Sequence, residues 1–468
     1  MQTDYLVIGA GLQGLVFASE IITHSQSTVT LVERRAQVGG HWNEAYPFVR
    51  LHQPSTYYGV GAVPLGSDKI EHQGVNTGLF EQATGTEVRA HLDKALHDHL
   101  LPSGRVRFLP KHEYLSGESG RHVAKSLATG KQTEIAVAKR LVDTTALKVQ
   151  TPETHSPNFE IAAGTPLCTP GALTDRLNGQ AQICVIGGGK TAMDVIIWLR
   201  QMGYPASQIS WVRPRDSWLI NRETAQPGGP GLLRMTENYA NKLRAAASAS
   251  EIDDLYRALE TSEDLFRIDP NHWPAMNHGA TISRGELSVL REVKRVLRHG
   301  RVKRLSPGHI QFAHVEQVLP EETLFVDCTA PAFAYDPPQP VFEPGKITTQ
   351  IVREGLVSLS AAAIGYIEAT FEDDDATKNL FSNPIGYSEE EISWPRALLR
   401  ELETQAIWAT NKPLRNWARN HRLSGYGEAE SDTDRAKLDA LSSEIKALRA
   451  PALEGLKKLV GANASVSA

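Results

Sequence analysis

Apolar and polar positions along the chain alternate between two rhythms. Asp4-Tyr5-Leu6-Val7-Ile8 is a short, mostly apolar run, which predicts a buried strand. Leu15 to Ile22 is apolar enough for a helix with a largely buried face, and Thr28-Val29-Thr30-Leu31-Val32 is a β-branched strand closed by Glu33. The same order returns in mid-chain. Gln182 to Ile186 predicts a strand, Thr191 to Leu199 a helix and Gln208 to Val212 a second strand. Both are β-α-β units.

Other segments link them. Leu141-Val142-Asp143-Thr144-Thr145-Ala146 and Leu324-Phe325-Val326-Asp327-Cys328-Thr329-Ala330 share one pattern: apolar strand, Asp, small polar residues, Ala. The first is read as a strand returning to the first sheet, the second as the crossing back to it. A Pro/Thr-rich crossing spans Thr151 to Pro170, and a proline-rich linker Pro331 to Pro340. Residues 230–300 carry helical periodicity, as in Gly285 to Leu297. Ile392 to Arg422 predicts two helices with Trp394, Trp408 and Trp417 in the core. Gly461 to Ala468 is expected to be disordered.

The expected fold is α/β: two Rossmann-like dinucleotide-binding domains, one inserted in the other, with a helical insert and C-terminal helices. Residues 1–165 form the first part of the outer domain and 166–320 the inserted domain with its helical insert. Residues 321–390 return to the outer domain, and 391–468 form a C-terminal helical region with its tail.

Composition narrows the classes. With 468 residues, 41% hydrophobic and 22% charged, the chain is ordinary globular material with room for two or three domains. A formal charge of -5 without a basic block argues against nucleic acid or anionic membrane as partners. No apolar run is long enough to span a bilayer, and no secretory signal opens the chain. A cytoplasmic setting is the default expectation. Cys168, Cys184 and Cys328 form no CxxC, so neither a dithiol centre nor a zinc knuckle is supported. No metal is expected. His91, His97 and His99 fall on one solvated helix, and Glu372 to Asp375 on a solvated capping turn.

Candidate chemistry begins at Gly9-Ala10-Gly11-Leu12-Gln13-Gly14. Gly9 permits the tight turn, Gly11 admits a pyrophosphate to the backbone, and Gly14 lets helix and strand pack closely. Free N–H groups at the helix start favour phosphate. Glu33, about 20 residues on, can accept ribose hydroxyls, with Arg34 beside it. Gly39-Gly40-His41-Trp42 then offers a second glycine turn to the same pyrophosphate, an arrangement that suits FAD better than NAD.

At Gly187-Gly188-Gly189-Lys190-Thr191 two motifs overlap. A Walker A loop would need Gly at position 184, which is Cys184, inside the strand. The dinucleotide pattern fits instead, with Gly187, Gly189 and Ala192 in the three small-residue roles. Lys190 adds positive charge. The second strand ends in Arg213-Pro214-Arg215 rather than an acid, so guanidinium groups face a 2′-phosphate and NADPH is expected over NADH.

GAGLQG, Glu33, GGHW, GGGKTAMD and the Arg-bearing turn together resemble the flavin-containing monooxygenases and their class B relatives, over residues 1 to about 330. The resemblance implies FAD reduced by NADPH, reaction with molecular oxygen to a C4a-(hydro)peroxyflavin, and oxygenation of a small organic substrate. It departs from the family at two places. The F-x-G-x-x-x-H linker signature is missing after Phe159, which favours N- or S-oxygenation or hydroxylation over Baeyer–Villiger chemistry. The usual ATG at the crossing strands reads Thr144-Thr145-Ala146 and Cys328-Thr329-Ala330. In the resembling folds the segment after the GGHW turn passes the flavin ring. Here it is Arg50 to Gly59, with His52, Gln53 and Ser55 as candidate catalytic residues and Tyr58 behind them. Two other readings stay open: an FAD/NAD(P)H oxidoreductase without oxygen transfer, and a non-catalytic FAD/NADPH-binding redox sensor; the oligomeric state stays open too, with a homo-oligomer as one candidate.

Overall fold

The computed structural model describes residues 1–118, 120–331 and 336–464. Two sheets with parallel cores organise it. In the first, β1 (Gln2–Ile8) lies between β2 (Val29–Val32) and β3 (Gln132–Asp143) and runs parallel to both. Helix α1 (Leu12–His24) connects β1 to β2. Tyr5, Leu6 and Val7 are buried to within 2%, as a parallel strand covered on both faces must be. A second helix, Val357–Thr370, packs along α1 through small residues. A Cβ on Gly365 would stand 2.8 Å from the Glu20 Cβ, so glycine sets how closely the two helices meet.

The second sheet is wholly parallel. Its order is Arg295–Leu297, then β5 (Ile209–Val212), β4 (Ile183–Ile186), Leu324–Asp327 and Leu167–Cys168. Helix α2 (Lys190–Gln201) connects β4 to β5. The two β-α-β units and the α/β class are therefore as the sequence predicts.

Three expectations change. Leu324–Asp327 is a strand of the inserted sheet, registered from Leu324 beside Ile183 to Asp327 beside Ile186. The chain returns to the first sheet only later, where Lys346–Thr348 pairs with β3, so the boundary placed at 321 falls too early. Gly285 to Leu297 is not one helix. A capping box from Ser283 starts a helix at Arg284, which ends at Glu292; Arg295–Leu297 then turns back as an edge strand beside β5. The final helix, Asp432–Ala464, runs into the stretch expected to be disordered, whose last residues, 465–468, lie outside the described residues. So do 332–335 of the proline-rich linker.

The C-terminal helices Ser393–Thr410 and Lys412–Asn420 do carry Trp394, Trp408 and Trp417 into the core. The final helix lies along Gly228–Ser248, the longest helix of the insert, so insert and C-terminus share one apolar cluster. Among the described residues no helix is long and apolar enough to cross a membrane.

Candidate functional site

The first glycine turn is built by close backbone contacts. Gly9 has φ of 95°, a left-handed value, and a Cβ there would stand 2.9 Å from the Thr144 Oγ1. A Cβ on Gly14 would stand 2.1 Å from the Gly9 carbonyl oxygen. The second glycine turn lies on the first. Gly39 donates its N–H to the Ala10 carbonyl at 3.0 Å, and a Cβ on Gly40 would stand 3.2 Å from the Gly11 Cα. Backbone thus faces backbone at the start of α1, whose N-cap is Gly11. One buried polar atom here lacks a partner. The Gln13 side-chain oxygen accepts from Thr349 at 2.9 Å, but its Nε2 has none. A donor left over beside a glycine cradle fits an anionic ligand such as a pyrophosphate.

Glu33 is buried, and its carboxylate binds the turn to itself. It accepts the Ala10 N–H at 2.9 Å and the Arg35 N–H at 2.8 Å. Arg34 is not part of this site: it is exposed, 3.6 Å from Glu113. Its neighbour Arg35 is the one at the turn, with a two-pronged pair to Glu44 at 2.7 and 2.9 Å. Both residues lie in the bend that follows β2, and the sequence does not show which of the two turns inward. Burial and then the Arg35 charge push the His41 pKa down to about 4. Trp42 is buried and donates Nε1–H to the Tyr58 hydroxyl at 2.7 Å, which ties the GGHW turn to the next segment.

In that segment the His52 side chain is open to solvent and lies within electrostatic reach of Lys190 and Arg222 of the inserted domain. Burial, then the charges of Lys190 and Arg222, push its pKa down to about 3, so the ring is neutral near pH 7. Its backbone carbonyl accepts from Arg222 Nε at 3.0 Å and from the Thr281 hydroxyl, both in the inserted domain. Gln53 donates Nε2–H to the Gly355 carbonyl at 3.0 Å, just ahead of the helix Val357–Thr370. Ser55 does not join them. It is buried, with both its N–H and its hydroxyl donated to the Glu81 carbonyl, at 3.1 and 3.2 Å, so it shapes the turn. Tyr58 is held by Trp42, and burial raises its hydroxyl pKa.

Two residues that support this segment give no sign of it in the sequence. Arg422 donates to five backbone carbonyls: Thr56 at 2.8 Å, Tyr58 at 3.1 Å, Val60 at 3.0 Å, Gly61 at 3.3 Å and Val63 at 3.2 Å. Burial pushes its pKa down to about 10. His91, expected on a solvated helix, is instead buried, and its Nε2 accepts the Val60 N–H at 2.9 Å.

At the second turn Gly187 has φ of 129°, and a Cβ there would stand 2.5 Å from the Cys328 carbonyl oxygen. Gly189, the N-cap of α2, opens onto free space. Gly188 faces the arginine loop, where a Cβ would stand 3.0 Å from the Arg215 carbonyl oxygen. Lys190 pairs with Asp194, one helical turn on. Asp194 also accepts from the Tyr46 hydroxyl at 2.7 Å, and Thr191 bonds the same hydroxyl. Tyr46 belongs to the outer domain, so the two domains are joined here.

Arg213 departs from expectation. It is buried, its guanidinium lies 4.4 Å over the Trp211 ring, and its Nε is 2.9 Å from Asp216. Desolvation pushes its pKa down to about 10. Asp216, which also pairs with Arg298, stands beside it and the Trp211 ring beneath it, while its buried Nη1 has no hydrogen-bond partner among the described residues. Arg215 is partly exposed and pairs with Glu389 at 2.7 Å. A separate cavity of about 900 Å³, lined by Pro337 to Pro340 and the helix Ser393–Thr410, touches neither glycine turn.

Fold and site together define a two-domain protein of the dinucleotide-binding fold, with a glycine turn at the head of each β-α-β unit. Residues 7–58 match the NAD(P)-binding Rossmann-like domain family. Over 424 residues the chain is 38% identical to the uncharacterized protein Rv2000 of Mycobacterium tuberculosis, an alignment spanning 91% of this chain and 78% of that protein. The uncharacterized protein Mb2023 of Mycobacterium bovis matches to the same extent. The chain belongs to the family these mycobacterial proteins represent. Among solved structures it is similar to a flavin-containing monooxygenase from Stenotrophomonas maltophilia, at 14% identity over 79% of this chain and 97% of that one, with a TM-score of 0.48. It is also similar to the bacillithiol disulfide reductase Bdr from Bacillus cereus, at 9% identity over 81% and 99%, with a TM-score of 0.44. Likenesses of this size carry no argument about chemistry.

Proposed function

We propose that this protein is an NADPH-dependent FAD monooxygenase that oxygenates a small organic molecule with O2, at nitrogen or sulfur or by hydroxylation. The observation that carries the reading is the position of His52. It follows the first glycine turn's segment, its ring is within electrostatic reach of Lys190 and Arg222 of the inserted domain, and its carbonyl accepts from Arg222 at 3.0 Å. The first turn is assigned to FAD, because two glycine segments meet backbone to backbone there and Gln13 keeps a free donor beside them. The second turn is assigned to the nicotinamide coenzyme, over the open face at Gly189.

When bound, FAD supplies a hydride acceptor whose electrons can pass on to O2. The protein's own part is placement. His52 offers a neutral ring, a hydrogen-bonding group that brings no charge. Gln53 is held by the Gly355 carbonyl, and Arg422 fixes the backbone behind both.

A dithiol reductase is the competing reading. All three cysteines are free and buried, and burial pushes the thiols of Cys168 and Cys184 up to about 12 and that of Cys328 higher still. A thiol without thiolate is a poor redox partner, which favours the oxygenase. The deciding experiment reduces the purified flavoprotein with NADPH in the absence of air, admits O2 and follows the flavin absorption by stopped flow. A transient species distinct from both oxidised and reduced flavin is expected. Direct return to the oxidised spectrum would mean a reductase or oxidase, and no reduction at all a sensor.

A further inference from the structure

The arginine loop carries a contact that the assignment of NADPH leaves unexplained. Arg215 and Arg301 both point at one carboxylate oxygen. Glu389 Oε2 lies 2.7 Å from the Arg215 Nη2 and 2.9 Å from the Arg301 Nη2. Arg301 comes from the turn after the edge strand Arg295–Leu297, whose Leu297 lies beside Val212 at the end of β5. Arg215 follows the same end of β5, and its backbone rests on Gly188 of the second turn. Glu389 arrives from elsewhere, on the segment before the helix Ser393–Thr410. His278 stands near the same pair.

In a dinucleotide-binding fold, the end of the second strand is where the adenosine ribose is read. An acidic residue accepts the free 2′-hydroxyl, and arginine accommodates a 2′-phosphate. This loop holds both answers. Its two guanidinium groups carry two positive charges, and a phosphate monoester brings about -1.5 to -2. With Glu389 withdrawn, the phosphate and the two arginines come close to balance. With Glu389 in place, the same site carries about one negative charge too many, and two anions contend for the same donors. A coenzyme without the phosphate meets no such conflict, because the carboxylate can accept its ribose hydroxyl.

We propose that Glu389 is the specificity-determining residue of the nicotinamide site: it occupies the seat of the 2′-phosphate between Arg215 and Arg301 and must leave for NADPH to bind. This rests on the reading of the second turn as a nicotinamide site. It also makes Arg301, which meets Glu389, and not Arg213, which is buried against Trp211, the second arm of the clamp. Removing the carboxylate strengthens binding of the phosphorylated coenzyme alone. Glu389 and both arginines are partly exposed, so the effect is largest at low salt.

Titration calorimetry of the purified full-length protein tests this with two probes, adenosine 2′,5′-bisphosphate and adenosine 5′-monophosphate. Glu389→Gln keeps the shape and removes the charge. It is expected to bind the bisphosphate about tenfold more tightly than the wild type at low salt, and the monophosphate no more tightly. Arg301→Ala is expected to weaken the bisphosphate only. Thermal melting of each variant should match the wild type, since these are surface pairs. An equal gain for both probes, or none for the bisphosphate, would overturn the role given to Glu389 while leaving the nicotinamide site standing. No binding of either probe to any of the proteins would overturn the nicotinamide site itself, and this inference with it.

Discussion

His91 illustrates how one side chain can set a site from behind. Its Nε2 accepts the Val60 N–H at 2.9 Å, and its Nδ1 lies 3.3 Å from the Pro64 carbonyl oxygen. A neutral ring with its proton on Nδ1 satisfies both, and a protonated ring would lose the Val60 bond. Burial pushes its pKa down to about 4. The unfolded chain protonates this ring near pH 6.5, so between those values the unfolded state binds more protons. Stability is therefore fully present above about pH 6.5 and falls as the pH drops towards 4, by up to about 3 kcal/mol from this residue. His91→Gln, which keeps one donor and one acceptor, is expected to be less stable at neutral pH and to lose less on acidification. Urea denaturation at several pH values measures this, and an unchanged pH slope in the variant would refute it. At this scale the sequence is least informative. That Arg213 turns inward to Asp216, that Arg34 faces out while Arg35 faces in, and that Arg422 serves a loop some 360 positions earlier in the chain are all decided by packing, which residue type does not announce.

Elements were far more legible, because the rules that fix them are local. Glycine spacing, the apolar run before it and the helix after it lie within a few dozen residues in each β-α-β unit, and both units form as expected. The strand Leu324–Asp327 joins the other sheet for the opposite reason. Its pattern matches that of Leu141 to Ala146, but which sheet accepts it depends on long-range pairing. The two glycine turns also differ in a way that mutation can read. At Gly14 an added Cβ meets the Gly9 carbonyl oxygen at 2.1 Å, backbone that can yield only if α1 moves off β1. Gly14→Ala is expected to destabilise the protein by roughly 1–3 kcal/mol even without ligand. At Gly189 an added Cβ meets nothing within 4 Å, and φ is -86°, which any residue adopts. Gly189→Ala is expected to cost less than about 1 kcal/mol of stability, through the poorer N-cap, and to show its main effect as weaker NADP⁺ binding. Melting temperature and coenzyme titration, run on both variants, separate the two cases. Equal losses of stability would show that the contacts at these turns are not what constrains them.

For the whole molecule, the question is what holds the inserted domain against the outer one. The centre of that junction is a fully buried arginine. Arg222 donates to the His52 carbonyl at 3.0 Å, to the Asn76 side chain at 2.6 Å and to the Thr281 carbonyl at 3.3 Å, and pairs with Glu286 at 2.8 Å. Burial alone would raise the Glu286 carboxyl pKa, but Arg222 and then Lys190 outweigh it and hold the group ionised, below its ordinary value. Such a pair contributes little net stability when intact, because both ions were taken out of water, yet breaking it leaves one charge buried and unmet. Arg222→Met is therefore expected to cost roughly 3–5 kcal/mol. Adding Glu286→Gln neutralises the stranded carboxylate and keeps an oxygen to accept the Ser283 N–H that caps its helix. The double variant is expected to recover most of the loss, which denaturant unfolding of the two single variants and the double can measure. Simple additivity would mean that the two side chains do not interact as a pair. If stability returns, the double variant then isolates the second role of Arg222. The His52 carbonyl keeps only its bond from Thr281, so the segment carrying His52 and Gln53 is less constrained while the fold is intact. FAD affinity should then fall in a protein of near-native stability. That result would place the cost on the alignment of His52 and Gln53 across the domain junction, and not on folding.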